Sequence, residues 1–234
     1  MRELDEMMRS PAETRAGSHR VFPASHHADE INPRLQTPCE NALSSLASNG
    51  RRPARFCGQC GKPLSRATVP LDSRPREVCN ACGTVHYENP RILVACVAEF
   101  ESQLVLCQRA MAPAKGLWFL PSGFMELDEA LEVAAVRELH EETGLLIRSS
   151  ELALYSVLSI PRLNEVYAIF RVTLAATPSL SPGVESSDVR LFRARSCPNT
   201  LAFPQFFRGF LSRYFNDAAV GRFPVRSQII DSEH

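Results

Sequence analysis

Four cysteines constrain the fold of this chain more than any other feature. They form two CxxC pairs, Cys57–Cys60 and Cys79–Cys82, which are separated by eighteen residues and are each followed by glycine. Four thiolates with this spacing satisfy a tetrahedral zinc ion and leave no open position, which is typical of a structural site. Two redox pairs or four free thiols are the alternatives. His86 is near enough in sequence to be considered as a ligand, but four cysteines already fill the coordination shell.

The residues around these cysteines include few large aliphatic side chains. A module of about thirty residues cannot fold on apolar burial alone, so it needs a metal or a disulfide to hold it. We therefore predict a zinc ribbon over 53–88 and a larger domain over 89–218. Residues 1–52 have no sustained hydrophobic periodicity and are predicted to be a disordered tail. Residues 219–234 are predicted to be a C-terminal tail.

Composition narrows the class of protein. The 234 residues include 26 Lys and Arg and 26 Asp and Glu, so the formal net charge is zero. A protein that coats nucleic acid needs a large basic field, so nucleic acid is an unlikely partner. No apolar run approaches the ~20 residues that span a bilayer, and the N-terminus lacks a secretory core. We expect a soluble cytoplasmic protein, because the acidic residues of the tail disfavour an organelle transit peptide. A homodimer is one option for its assembly.

The larger domain alternates strand and helix patterns. The runs ILVACVAEF and QLVLCQR, separated by Glu101-Ser102, predict a β-hairpin, and the apolar Cys96 and Cys107 within them are expected in the core. Trp118 is also expected there, and the alternative is that it forms a wall of the substrate site. Helices are predicted over about 128–142 and 204–216, and strands near 152–160, 165–174 and 189–194. The second helix is expected to bury Phe206, Phe207, Phe210, Leu211 and Phe215. The domain is therefore predicted to be α/β.

The segment 123–145, GFMELDEALEVAAVRELHEETGL, is called the glutamate box below. At about 100° per residue, Glu138, Glu141 and Glu142 fall within about one third of the helix circumference. Three carboxylates so close repel one another unless a cation lies between them. A solvated acidic face is the alternative, but apolar residues surround most of this helix, so its glutamates should line a cleft. Ligands that are all oxygen favour Mg²⁺ or Mn²⁺. Gly144 fits a left-handed helix C-cap.

The glutamate box matches the pattern GX5EX7REUXEEXGU, where U is apolar, at every position, and the chain thus resembles the Nudix hydrolases. The resemblance implies a Nudix α/β/α sandwich with a mixed sheet, and metal-dependent cleavage of the pyrophosphate bond in a nucleoside diphosphate derivative. It assigns the catalytic metal to Glu138, Glu141, Glu142 and the carbonyl of Gly123. It also implies that Glu129 and Arg137 are structural and tie the preceding loop to the helix.

The catalytic base has candidates both in the glutamate box and in a later loop. Either Glu141 or Glu142 can orient the attacking water. In several Nudix hydrolases a glutamate from a later loop does so, and Glu185 in SPGVESSDVRLF is the candidate here. The alternative is that Glu185 is an ordinary polar loop residue. Arg109 follows the second predicted strand, where related enzymes often place an arginine that binds phosphate.

The resemblance extends over about 56–215 and indicates which branch of the Nudix hydrolases the chain is similar to. FCGQCGKPL, VCNACGTVHYENPRI and GLWFLPSGFME are similar to zinc-ribbon Nudix hydrolases that include FAD pyrophosphatases. The NADH pyrophosphatases carry an SQPWPFPxS stretch after the box, and this chain has LLIRSSELALYSVLSIPRLNEVY there. ADP-ribose hydrolases often carry a proline sixteen residues past the box, which is Pro161 here. Conversion of FAD to FMN and AMP is therefore predicted first, and cleavage of ADP-ribose next. The remaining classes are a nucleotide sensor, which typically lacks box glutamates, and an RNA-binding or decapping protein.

Overall fold

The computed structural model of the chain describes residues 54–112, 114–202 and 204–230, without the side chains of Pro204 and Gln205. The tail predicted over 1–52 lies outside these residues. Within these three ranges, no helix combines the length and the apolar character that a membrane crossing requires.

The zinc ribbon is a small antiparallel sheet. One CxxC turn precedes its first strand, and the other joins its second and third strands. Its strands are β1 (Leu64–Ala67), β2 (Arg76–Cys79) and β3 (Val85–His86), in the order β1-β2-β3. Gly61 and Gly83 follow the two CxxC pairs with φ of 69° and 75°, a left-handed conformation that favours glycine. Each donates its N–H to the carbonyl of the first cysteine of its pair, at 2.8 Å. The glycines thus let both turns curl toward a common point.

The larger domain is built on an eight-stranded mixed sheet. Its strands are β4 (Arg91–Phe100), β5 (Gln103–Arg109), β6 (Trp118–Phe119), β7 (Ser122–Phe124), β8 (Ala153–Ile160), β9 (Glu165–Thr173), β10 (Ser186–Arg193) and β11 (Arg226–Ile229). The order is β10-β5-β4-β9-β8-β11, with β6 beside β5 and β7 beside β4. The pairs β4–β9 and β8–β11 are parallel, and the others are antiparallel. The predicted β4–β5 hairpin is confirmed.

Two helices cover opposite faces of this sheet. Successive residues of a strand point to opposite faces, so the neighbours Val94 and Ala95 show which helix covers which face. Helix α1 (Leu131–Thr143) packs through Ala134 and Ala135 on the face that includes Val94 of β4. Helix α2 (Pro204–Val220) packs on the other face, which includes Ala95. The residues of α2 that pack there are Phe206, Phe207, Phe210, Leu211, Tyr214 and Phe215. The predicted α/β/α sandwich is therefore confirmed, with Tyr214 added to the predicted apolar side of α2.

The core contains the two thiols and the tryptophan that the sequence placed there. Cys96 and Cys107 are fully buried on the α1 side of the sheet. Trp118 is buried on the α2 side, where its ring meets that of Phe192 edge to face at 4.8 Å between centroids. Edge-to-face contacts of this kind add to the energy of apolar burial.

Both helices differ from their predicted bounds for local reasons. Helix α1 begins at Leu131 rather than near 128, because Asp128 has a φ of 60° and Ala130 is still extended. Helix α2 continues to Val220, since Asp217 in its last turns bonds Tyr155 and Arg226 at the sheet.

The prediction of a C-terminal tail over 219–234 is wrong for residues 226–229. Residues 226–229 form strand β11, which pairs in parallel with β8 at the edge of the sheet. Arg226 holds the strand in place, because its Nη2 bonds Asp217 Oδ1 at 2.9 Å. The four residues RSQI carry too few apolar side chains to indicate a strand, and the free edge of β8 supplies the hydrogen bonds.

Candidate active site

The four predicted zinc ligands converge. The sulfur of Cys57 lies 3.7 Å from that of Cys82, and the sulfur of Cys60 lies 3.4 Å from that of Cys79. All four sulfurs lie within 4.8 Å of one another, and none is in a disulfide. A tetrahedral zinc ion at ~2.3 Å from each sulfur would separate them by about 3.8 Å. The cluster therefore fits zinc, as the ribbon fold requires.

His86 borders this cluster without belonging to it. Its Nε2 lies 3.3 Å from the Cys57 sulfur, which is a hydrogen-bond distance for sulfur. The imidazole therefore contacts a ligand atom from outside the group of four sulfurs, as the sequence analysis expected.

Arg137 organises the glutamate box. Its Nε and Nη2 donate to the two carboxylate oxygens of Glu129, each at 2.9 Å. Nη2 also donates to the carbonyl of Phe124 at 2.9 Å. Nη1 donates to Glu138 at 2.6 Å and to Glu141 at 3.3 Å. Hydrogen bonding to Arg137 also holds the pKa of Glu129 below its usual value. The arginine thus joins the loop before α1 to the helix and to two of its glutamates.

Glu138 lies against Gly123 in the loop before the helix. A β-carbon at Gly123 would overlap the carboxyl group of Glu138, so any side chain at residue 123 would displace this carboxyl group. The Glu138 side chain is 14% exposed. Burial raises its pKa, an effect that the hydrogen bond from Arg137 opposes. The Glu138 carboxyl group, which is half-buried, therefore lies against the backbone of Gly123.

Glu142 is the most deeply buried carboxylate of the box, with 4% of its surface exposed. It accepts a hydrogen bond from the Ser122 N–H at 2.8 Å. Burial raises its pKa to about 8, and the nearby charges of Glu138 and Glu185 act in the same direction. The Ser122 N–H and the positive charge of Arg109 act in the opposite direction. An ionised carboxylate in this position is costly unless a cation compensates it.

Glu141 differs from the other two. Its side chain is 57% exposed and faces Arg137. In the described part of the chain, only the four cysteines bring three or more potential ligand atoms of His, Cys, Asp or Glu within 4.8 Å. The three box glutamates lie on one helix but do not converge that closely. Residues 138 and 142 are one turn apart and point inward, whereas Glu141 points toward solvent.

Arg109 and Glu185 lie beside the box although they are distant in sequence. The pairing of β5 with β10 places Ser186 opposite Arg109, and the Ala110 N–H donates to the Glu185 carbonyl at 2.9 Å. The Arg109 guanidinium lies 5.3 Å from the centroid of Phe119. The positive charge of Arg109 lowers the pKa of Glu142, and the negative charge of Glu185 raises it.

The end of helix α1 is capped by the predicted Gly144 and by two loop residues that the sequence did not indicate. Gly144 has a φ of 75° and donates its N–H to the His140 carbonyl. The N–H groups of Ser181 and Gly183 donate to the carbonyls of Thr143 and Glu142, at 2.9 and 3.4 Å. Together with Ser122, these loop residues hold the box through backbone groups. The Ser-Pro-Gly sequence indicated a turn but not its partner.

Comparison with known proteins identifies the family. The family model described as "NUDIX domain" matches residues 89–212. The chain belongs to the Nudix family. A second model, described as "Nudix N-terminal", matches residues 55–88, which contain the four cysteines. The chain is thus a Nudix pyrophosphohydrolase with an N-terminal zinc ribbon.

Three relatives illustrate the similarity. The chain is 32% identical over 118 residues to an ADP-ribose pyrophosphatase of Methanocaldococcus jannaschii, covering 50% of this chain and 69% of that protein. It is 35% identical over 97 residues to the NAD-capped RNA hydrolase NudC of Vibrio parahaemolyticus, covering 41% of this chain and 35% of NudC. The crystal structure of a NUDIX hydrolase from Nitrosomonas europaea matches with a TM-score of 0.68 and 38% identity, covering 76% of this chain and 99% of that one.

Proposed function

We propose that this Nudix pyrophosphohydrolase cleaves the diphosphate of an ADP-linked nucleotide and releases AMP. The observation that carries the proposal is the buried Glu142, one turn from Glu138 on the same helix. The charges of Arg109 and Glu185 reach its carboxylate and shift its pKa in opposite directions. Hydrolysis of a diphosphate requires a positively charged side chain that binds phosphate and a base that activates water, and Arg109 and Glu185 are of these two types.

The donor set fits a hard divalent cation. Glu138, Glu142 and the adjacent backbone of Gly123 offer oxygen atoms only, which suit Mg²⁺ or Mn²⁺ better than a soft metal. Glu141 is the more exposed donor, and it would have to leave Arg137 to bind the same cation. Burial raises the pKa of Glu142, so a cation there would compensate a negative charge that the Ser122 N–H and Arg109 offset only in part.

Each residue then has a task in the reaction. Arg109 binds oxygen atoms of the diphosphate. When bound, the cation neutralises charge that develops on the phosphate and makes water a better nucleophile. Glu185 accepts a proton from the attacking water, because it is exposed while Glu142 is held by Ser122 and Glu141 by Arg137. The water oxygen bonds to one phosphorus, the bridging P–O bond breaks, and AMP leaves with a second phosphate monoester.

The other half of the substrate distinguishes the candidates. We place ADP-ribose first, since the ADP-ribose pyrophosphatase of M. jannaschii is similar to this chain over 69% of its length. FAD, which the resemblance favoured, remains a prediction. Pro161 does not separate them, because it begins a short 3₁₀-helix, where proline suits the backbone. NAD-capped RNA is third: NudC is matched over only 35% of its length, and this chain carries no net charge.

A substrate panel tests this proposal. We expect purified protein with Mg²⁺ to release AMP from ADP-ribose with a kcat/KM at least about tenfold above that for FAD or NADH. Product separation by HPLC under identical conditions gives the three values. A higher value for FAD would restore the FAD assignment, and a higher value for NADH would show that the missing SQPWPFPxS stretch was misread. Absence of AMP from every substrate would contradict the proposed reaction. Binding of capped RNA that weakens steeply with salt would favour the RNA alternative.

A further inference from the structure

We propose that Gly183 is a positioning residue for Glu185. Its lack of a side chain allows the loop 181–186, called the docking loop below, to lie directly on the carboxyl end of helix α1. The inference rests on the proposed function, in which Glu185 is the base. It adds a residue to that function which itself touches neither the substrate nor the cation.

Two backbone hydrogen bonds join the docking loop to the catalytic helix. The last carbonyls of a helix have no partner within it and must find donors elsewhere. Here the Ser181 N–H donates to the Thr143 carbonyl at 2.9 Å, and the Gly183 N–H reaches the Glu142 carbonyl at 3.4 Å. The carbonyl of Glu142 is therefore bonded to Gly183, which lies two residues before Glu185.

The contact at Gly183 leaves no space for a side chain. A β-carbon there would overlap the carbonyl oxygen of Glu141 and lie 2.9 Å from its carbonyl carbon and 3.5 Å from the Glu142 Cα. Non-bonded carbon atoms are best separated by about 3.5–4.0 Å. These are backbone atoms of a helix, so no rotamer change relieves the overlap. The φ of Gly183 is not in the left-handed region, so space alone requires glycine.

A second anchor fixes the other end of the docking loop. The Glu185 carbonyl accepts the Ala110 N–H at 2.9 Å, and Ser186 pairs with Arg109 as β10 begins. Inside the loop, the Ser186 N–H donates to the Gly183 carbonyl at 3.1 Å. Glu185 is thus held between the helix end and strand β5, next to the phosphate-binding arginine. A displacement of about 1 Å in such a constellation is enough to lower the rate of reaction severely.

Gly183→Ala tests the inference, with Gly209→Ala as its control. Gly209 is exposed on α2, and a β-carbon there meets nothing within 4 Å. We expect Gly183→Ala to lower kcat at saturating Mg²⁺ at least ~10-fold, because the β-carbon pushes the docking loop and Glu185 away from the box. KM and the Mg²⁺ dissociation constant from calorimetry should change little, whereas the melting temperature should fall, because the displaced loop loses its backbone bonds to the end of the helix. Gly209→Ala should match the wild type in kcat, KM and Mg²⁺ affinity, and its melting temperature should not fall, because alanine favours a helix more than glycine does.

A double variant separates positioning from other effects. Added to Glu185→Gln, the Gly183→Ala change should cost nothing further, because the residue that it positions is already disabled. Additive losses, or weakened Mg²⁺ binding by Gly183→Ala, would show that Gly183 acts on the box glutamates instead and would overturn the inference. So would wild-type kcat in Gly183→Ala. Wild-type kcat in Glu185→Gln would instead refute the base assignment itself.

A second variant keeps the test open if Gly183→Ala does not fold. Val184 links the helix anchor to Glu185, and its side chain is 95% exposed, so Val184→Gly removes no packing. The more flexible link should lower kcat several-fold without lowering Mg²⁺ affinity. An unchanged kcat in Val184→Gly would then overturn the inference.

Discussion

Glu142→Gln is expected to lower kcat at least ~100-fold in saturating Mg²⁺ while the protein stays folded. Glu142 is buried and accepts the Ser122 N–H, so the amide keeps the shape and loses the charge that a cation needs. Glu141→Gln should cause a comparable loss, although Glu141 is more exposed. Steady-state kinetics on the best substrate measure both variants. Rates near wild type for both would exclude Glu141 and Glu142 as ligands of the catalytic cation and contradict the proposed mechanism.

Glu132→Gln is the matched control for these variants. Glu132 lies in the first turn of the same helix and is exposed, away from the three box glutamates. Its kcat should equal that of the wild type. A large loss in the control would show that any change of charge on α1 disturbs the enzyme.

The role of Glu142 can also be tested without an activity assay, by measuring how the stability of the Mg²⁺-free protein depends on pH. Burial raises the pKa of Glu142 from 4.5 to about 8. Between these values the folded protein keeps a proton that the unfolded chain releases, so stability should fall as pH rises from 4.5 to 8. Glu142→Gln cannot titrate and should lose less stability over this range. Melting temperatures at both ends of the range measure the difference.

Cys79→Ser should remove the zinc and unfold the ribbon. Cys79 is fully buried at the end of β2, and its sulfur lies 3.4 Å from that of Cys60. A three-stranded sheet of this size has little core, and zinc contributes on the order of 10 kcal/mol to the folding of such modules. Elemental analysis should find about one zinc ion per wild-type chain and none in the variant. Hydrogen exchange should show loss of protection over 54–88.

Cys197→Ser is the control for the zinc prediction. Cys197 is half-buried and lies outside the cluster of four sulfurs, so this variant should keep the zinc of the wild type. Wild-type protein purified without chelators that contains no zinc would contradict the assignment.

The sequence predicted features that repeat a local pattern. The spacing of the CxxC pairs predicted a cluster of sulfurs, and the glutamate box predicted a helix with Gly144 after its last turn. Periodicity likewise predicted the hairpin and most of α2, because each pattern covers enough residues to average out exceptions. Strand β11 was missed, since its four residues carry no such pattern and depend on the edge of β8.

Contacts between distant segments explain what the sequence did not show within the site. Spacing on the helix placed three carboxylates together, but Arg137 and burial divide them into an exposed Glu141 and two inward residues. The contact between Gly183 and the end of α1 joins residues about forty positions apart, and local propensity rules describe only neighbours in sequence. The same holds for the Ser122 N–H that fixes Glu142.

Isotope labelling tests the central claim most directly. Hydrolysis of ADP-ribose with Mg²⁺ in H₂¹⁸O should place one ¹⁸O in either AMP or ribose 5-phosphate, and none in the other, because water attacks a single phosphorus. Mass spectrometry of the two products reads the label. Label in both products, label in neither, or AMP release that persists without a divalent cation would contradict the proposed reaction.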